Sequence, residues 1–138
     1  MKGDSKHAAS LREAALRALD NAYAPFSNFR VGAAVRGRGG EVVTGCNMEN
    51  SVYGLSICAE TLAVASAVSQ GLKEFDEIAI ETEESEPTPP CGACRQVLNE
   101  FAPNIKISSY TRDGQEATWT LDELLPHAFV LHQSRGRT

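Results

Sequence analysis

Residues 58–110 read CAETLAVASAVSQGLKEFDEIAIETEESEPTPPCGACRQVLNEFAPNIKISSY, and the order of elements in this stretch decides the fold. Cys58 to Ser69 is rich in alanine, leucine and valine and reads as a helix. Gly71 ends it, where a glycine tolerates a positive φ. Asp76 to Glu81, apolar at Ile78 and Ile80, reads as a strand. An acidic loop with Pro87, Pro89 and Pro90 leads to a second helix, Cys91 to Phe101, stopped before Pro103. Ile105 to Tyr110 is again a strand. Both helices open with cysteine.

The flanks extend the pattern. Leu11, Ala15, Leu16 and Leu19 recur at helical spacing, which predicts a helix over Ser5–Tyr23 closed by Pro25. Phe29–Val35 and Glu41–Gly45 form a hairpin across the turn Arg36-Gly37-Arg38-Gly39-Gly40. Asn47–Ser56 reads as irregular. After Arg112-Asp113-Gly114, Glu116–Trp119 supplies a fifth strand and Leu121–Leu125 a helical turn, and the tail from Gln133 reads as frayed. Helices alternating with strands predict an α/β fold, a three-layer α/β/α sandwich around a mixed sheet of about five strands. The 138 residues fit one domain, 1–138.

A formal net charge of −5 disfavours a polynucleotide partner, because phosphate binding needs a dense Lys/Arg surface. Met1–Ser10 is polar, and no stretch reaches the apolar length of a signal peptide or a membrane span. The expected location is therefore cytoplasmic, with no membrane partner. Reduced thiols are expected there, so Cys46, Cys58, Cys91 and Cys94 read as ligands or catalytic groups before disulfides.

Cys58-Ala59-Glu60 and Pro90-Cys91-Gly92-Ala93-Cys94 carry the chemistry. Cys91 and Cys94 lie three apart, so at a helix start both thiols face one point. Cys58 opens another helix, and helix N-termini favour the thiolates that bind metal. Three thiolates leave zinc one open position for water, and Glu60, beside it, is a proton carrier. A closed structural site would need Cys46 as fourth ligand. Cys46 is distant from Cys58 on another element and reads as a small buried apolar residue. His7 and His132 read as solvated ends, and His127, after Pro126, as a surface turn.

From about Ala22 to Phe129 the chain resembles the small homotetrameric zinc-dependent cytidine deaminases. The resemblance rests on Tyr23-Ala24-Pro25-Phe26-Ser27, Val31-Gly32-Ala33-Ala34 and Gly45-Cys46-Asn47-Met48-Glu49-Asn50. It continues through Tyr53-Gly54, Ile57-Cys58-Ala59-Glu60, Pro90-Cys91-Gly92-Ala93-Cys94-Arg95-Gln96-Val97 and Leu124-Leu125-Pro126 with Phe129. It implies hydrolytic deamination of free cytidine and 2′-deoxycytidine in pyrimidine salvage, with one Zn²⁺ per subunit on Cys58, Cys91 and Cys94. Glu60 would shuttle protons, Phe26 stack near the pyrimidine, Asn47 and Glu49 bind the ribose hydroxyls, and the main chain at Ala59 read the base edge. Tyr53 and Phe129 match positions that complete neighbouring pockets in the tetramer. On residue type alone Phe26 also suits a core and Asn47 a turn.

Many members follow Cys-Ala-Glu with arginine, which offsets the charge of the thiolates; here Thr61 stands in its place, with Arg95 as partial compensation. Blasticidin-type deaminases share the cysteine motifs but resemble the chain less around Asn47 and Glu49. They define the alternative of another aminopyrimidine substrate. A non-catalytic zinc module and a nucleic-acid editor are the readings from other classes.

Overall fold

The computed structural model describes residues 2–131, with side chains from residue 10 onward. His132 and the tail from Gln133 lie outside the described residues, as does the side chain of His7. The elements are α1 (Lys2–Leu19), β1 (Val31–Gly37), β2 (Val42–Cys46), α2 (Ala59–Ser69), β3 (Phe75–Thr82), α3 (Gly92–Phe101), β4 (Lys106–Thr111), β5 (Glu116–Thr120) and the short α4 (Leu121–Leu124). A 3₁₀ turn at Tyr53–Leu55 interrupts the irregular stretch after β2.

The five strands form one sheet in the order β2-β1-β3-β4-β5. β3 and β4 are parallel and every other pair is antiparallel, so the sheet is mixed as predicted. The parallel pair requires a crossover, and α3 makes it. Alternation along β1 divides the two faces. Ala33 and Val35 enter the core beneath α2 and α3 with Ala63, Ile78, Ile80 and Leu98, whereas Ala34 meets Leu11, Ala15 and Ala79 beneath α1. These are the two cores of a three-layer sandwich.

Two glycines set how closely the helices approach. A Cβ on Gly32 would lie 2.1 Å from the Ala15 carbonyl oxygen on α1, and one on Gly45 would lie 2.6 Å from the Ala59 carbonyl oxygen on α2. No side chain fits at either place, so each helix backbone rests directly on a strand.

The first helix ends earlier than its periodicity predicts, at Leu19 in place of Tyr23. The Tyr23 N–H donates to the Asn47 carbonyl and the Tyr23 carbonyl accepts from Glu49 N–H, so pairing with the chain after β2 takes this residue out of the helix. The first strand begins at Val31 because Ala24–Phe29 is a loop. Cys58 and Cys91 are N-caps just outside their helices, with the first helical residues at Ala59 and Gly92. His127 lies in an exposed turn, as expected.

Glu81 ties α1 to the sheet. Its side chain is fully buried on the α1 side; Oε1 accepts from Arg12 Nε at 3.3 Å, and Oε2 has no partner among the described residues. Arg12 also donates to the Thr111 carbonyl at 2.9 Å and stands over the Tyr110 ring. Burial pushes the Glu81 carboxyl above its ordinary range, against the smaller opposing pull of Arg12. A raised folded-state value means that this group favours the folded state while protonated and loses that contribution as pH rises through the folded value. Glu81→Gln, neutral at every pH, is therefore expected to have a higher melting temperature than wild type at pH 8. That gain should shrink as pH falls toward the ordinary glutamate range near about 4.3. A difference that stays constant with pH, measured by thermal denaturation from pH 4 to 8, contradicts it.

Candidate active site

The carboxyl end of β3 and the starts of α2 and α3 meet on one side of the sheet. The Sγ atoms of Cys58, Cys91 and Cys94 all lie within 4.8 Å of one another, with Cys58 and Cys91 3.8 Å apart. N-cap side chains ordinarily accept a hydrogen bond from their own helix, but neither Cys58 nor Cys91 does so. Both thiols turn to the shared point instead.

Four tetrahedral ligands at about 2.3 Å from zinc stand about 3.8 Å from one another, so the Cys58–Cys91 spacing fits that ion. The donor set fits as well, since thiolates select soft or borderline cations and three of them leave zinc a fourth position. Cys46 is not in the group. It pairs with Gly32, whose face is the one under α1, so the sheet separates it from the trio. It is half-buried where full burial was expected, and burial raises its thiol pKa.

The three thiols bear on one another. A hydrogen bond from Cys94 holds Cys58 below the usual thiol range. That same bond pushes Cys94 far above it, with burial adding to the effect. Thr61, one turn into α2, places its hydroxyl 3.2 Å from Cys94 Sγ. A neutral hydroxyl thus stands where the resemblance expected a cation. Arg95 places two of its donors on main-chain carbonyls: Nε donates to Pro90 at 2.8 Å and Nη1 to Leu124 at 2.9 Å. It braces the loop that presents Cys91.

Beside the sulfurs lies a cavity of about 300 Å³, the lower end of the small-ligand range. Ala59 and Glu60 form one wall with Cys58 and Cys91, and Asn47 and Glu49 form another. Glu60 is 6% exposed, and burial pushes its carboxyl above the ordinary range. Asn47 Nδ2 donates to the Phe29 carbonyl at 2.6 Å and its Oδ1 accepts from Val31 N–H at 2.9 Å. Glu49 Oε1 accepts from the N–H groups of Phe26 and Ser27, and Oε2 from the Ser27 hydroxyl. The bond from Ser27 is the main reason its carboxyl lies below the usual range.

The other expected site residues lie outside this cavity. Phe26, 54% exposed, lines an adjoining recess with Tyr53, whose ring meets it edge-on at 6.3 Å. Phe129 is exposed, and its carbonyl accepts from Gln96 Nε2 at 2.9 Å. Sequence reading passed over Ser27, Phe29 and Thr88, which line the cavity. Phe29 was within reach: it lies two residues before Val31, so the alternation of β1 carries the inward face back to it.

Thiolates gathered at two helix starts, beside a buried carboxyl and an open cavity, define a hydrolase whose metal works on water. Comparison with known proteins narrows the class. The family model for the cytidine and deoxycytidylate deaminase zinc-binding region matches residues 5–109, and the chain belongs to this family. It is 43% identical over 117 residues to the cytidine deaminase of Halalkalibacterium halodurans, covering 84% of this chain and 89% of that one. It is 34% identical to the blasticidin-S deaminase of Bacillus cereus over 70% of this chain and 74% of that one. The crystal structure of cytidine deaminase from Burkholderia pseudomallei superposes with a TM-score of 0.84 at 44% identity, covering 87% of this chain and 97% of that one.

Thr61→Val removes the hydroxyl at Cys94 while keeping the side-chain shape. It is expected to weaken zinc retention about tenfold, the lower end of losses for groups that support a ligand. Competition with a colorimetric chelator measures this; unchanged retention contradicts it.

Proposed function

We propose that this chain deaminates free cytidine and 2′-deoxycytidine to the corresponding uridines, as a cytoplasmic enzyme of pyrimidine salvage. The observation that carries the reading is the shared cavity: Cys58 and Cys91 of the thiol trio line it with Glu60, and Asn47 and Glu49 line it too. No lysine or arginine is among the described residues that line it, and two glutamates are, which suits an uncharged nucleoside better than a nucleotide.

Cys58, Cys91 and Cys94 would hold the zinc, which when bound would supply a Lewis acid that makes water a nucleophile near neutral pH. Glu60 takes a proton from the attacking water and delivers it to ring nitrogen 3, so that carbon 4 becomes the better electrophile. The resulting hydroxide adds at carbon 4. Glu60 then takes the proton of the new hydroxyl and passes it to the amino group, the carbon–nitrogen bond breaks, and ammonia leaves as the carbonyl forms. Burial keeps Glu60 away from bulk water during these transfers and favours its protonated form. The main chain at Ala59 reads the base edge. Phe29 gives the cavity an aromatic wall, and Phe26 continues it into the adjoining recess. Asn47 and Glu49 take the ribose hydroxyls.

Tyr53 and Phe129 are 78% and 71% exposed, and Val52, Leu55, Val130 and Leu131 beside them are exposed too. Apolar surface of this extent favours burial between subunits. Our reading is a homotetramer in which these residues complete neighbouring pockets. Sedimentation equilibrium should give four chain masses, and a monomer at micromolar concentration rules this out.

The resemblance to blasticidin-S deaminase, with Thr61 in place of arginine, supports a second reading: the same chemistry on another aminopyrimidine. Absorbance decides between them. Purified protein should consume the cytidine band and release ammonia, lose this activity to a chelator, and regain it with zinc. Glu60→Gln should keep zinc yet lose at least about a hundredfold in kcat, the lower bound for general acid–base catalysis. An inert wild type with zinc bound moves the assignment to the other aminopyrimidines.

A further inference from the structure

Glu49 is held by a loop that spends most of its acceptor capacity. An ionised carboxylate offers about four lone-pair sites, two on each oxygen. Oε1 accepts from Phe26 N–H at 2.9 Å and Ser27 N–H at 3.1 Å, which fills it. Oε2 accepts from the Ser27 hydroxyl and keeps one site. The same hydroxyl oxygen accepts from Phe29 N–H at 2.9 Å, so Ser27 is itself held in place. Asn28, at φ 59°, is the one described residue other than glycine with a positive φ, and its N–H donates to the Ala24 carbonyl. Asparagine tolerates this conformation better than most residues, and it lets the chain wrap around the carboxylate. Ser27 and Glu49 line both the cavity and the recess beside it.

We propose that Ser27 is a positioning residue for sugar selection: its hydroxyl orients the Glu49 carboxylate and leaves one acceptor site on Oε2, which takes one hydroxyl of the substrate's ribose. This inference rests on the nucleoside reading of the site. A carboxylate cannot donate, so the group it takes must be a donor. A sugar hydroxyl qualifies, whereas a phosphate oxygen or a carbonyl does not. Without the Ser27 hydroxyl Oε2 loses its tether while Oε1 keeps its two main-chain bonds, and the Phe29 N–H loses its acceptor.

The test is steady-state kinetics of the zinc-loaded enzyme on cytidine and 2′,3′-dideoxycytidine, with wild type, Ser27→Ala and Ser27→Gly. Both substitutions remove the hydroxyl and keep the main-chain N–H. We expect KM for cytidine to rise about tenfold, the scale of one hydrogen bond to a charged group, with kcat within about twofold. The hydroxyl assigned to Glu49 is a ring hydroxyl, 2′ or 3′, so KM for the dideoxy compound, which keeps only the 5′ hydroxyl, should hardly move. Ser27→Thr, which retains a hydroxyl, should recover most of the cytidine KM. Equal KM losses on both nucleosides, or no loss on either, overturn the role of Ser27. Loss of kcat with KM unchanged does the same. A wild type that neither binds nor deaminates cytidine overturns the nucleoside reading and this inference with it; wild-type turnover with an unaffected Ser27→Ala overturns this inference alone. Zinc content and melting temperature of each variant separate these outcomes from misfolding.

Discussion

Gly45 has no side chain, and the first turn of α2 lies where one would be. Its absent Cβ would stand 2.5 Å from Ala63 N and 2.6 Å from the Ala59 carbonyl. That contact sets the depth at which α2 begins, and Cys58 is the residue immediately before it. A methyl group at position 45 would lift the helix start, and with it both a candidate zinc ligand and Glu60 on the first turn. The other two thiols depend on β3, whose exit leads to the start of α3. The site is therefore no more exact than the seating of two helices on one sheet. Core packing at crystal-like density is what makes that seating definite.

The two walls of the cavity are built on different principles. The sulfur wall consists of helix starts, where aligned peptide dipoles favour negative charge and the backbone is rigid. The opposite wall is a loop, Ala24–Arg30, held by two side chains from beyond β2. Asn47 acts as a false strand partner, bonding Phe29 and Val31 along the chain that becomes β1. Glu49 gathers the N–H groups of Phe26 and Ser27. The polar groups proposed to take the ligand thus also hold the loop, which would meet part of the ordering cost of binding during folding.

Thr61 bears on the electrostatics of the sulfur wall. Zinc with three thiolates carries one net negative charge, which works against lowering the pKa of water. An arginine there would neutralise it, whereas Thr61 offers Cys94 one neutral hydrogen bond. Arg95 spends its observed hydrogen bonds on the Pro90 and Leu124 carbonyls and acts as a brace for the cysteine loop. The two helix starts and Thr61 are the groups placed to stabilise thiolates directly.

Much of this was legible in local pattern. Periodicity located the helices and strands, and the spacing of Cys58, Cys91 and Cys94 with Glu60 marked the metal chemistry, because side chains three apart at a helix start share a face whatever surrounds them. The end of α1 was not legible, since Tyr23 leaves the helix to pair with Met48, a partner remote in sequence. Nor was the division of the aromatics, with Phe29 in the cavity and Phe26 in the recess beside it. The buried position of Glu81 under Arg12 also gave no local sign, because a glutamate in an acidic stretch reads as solvated. Sequence alone determined which cysteines could hold a metal and on which elements they sit, because these follow from short-range geometry. Only the tertiary structure decided that Cys46 lies across the sheet from the other thiols and that Ser27 and Glu49 share a bond, because both depend on which strands and loops the folded chain brings side by side.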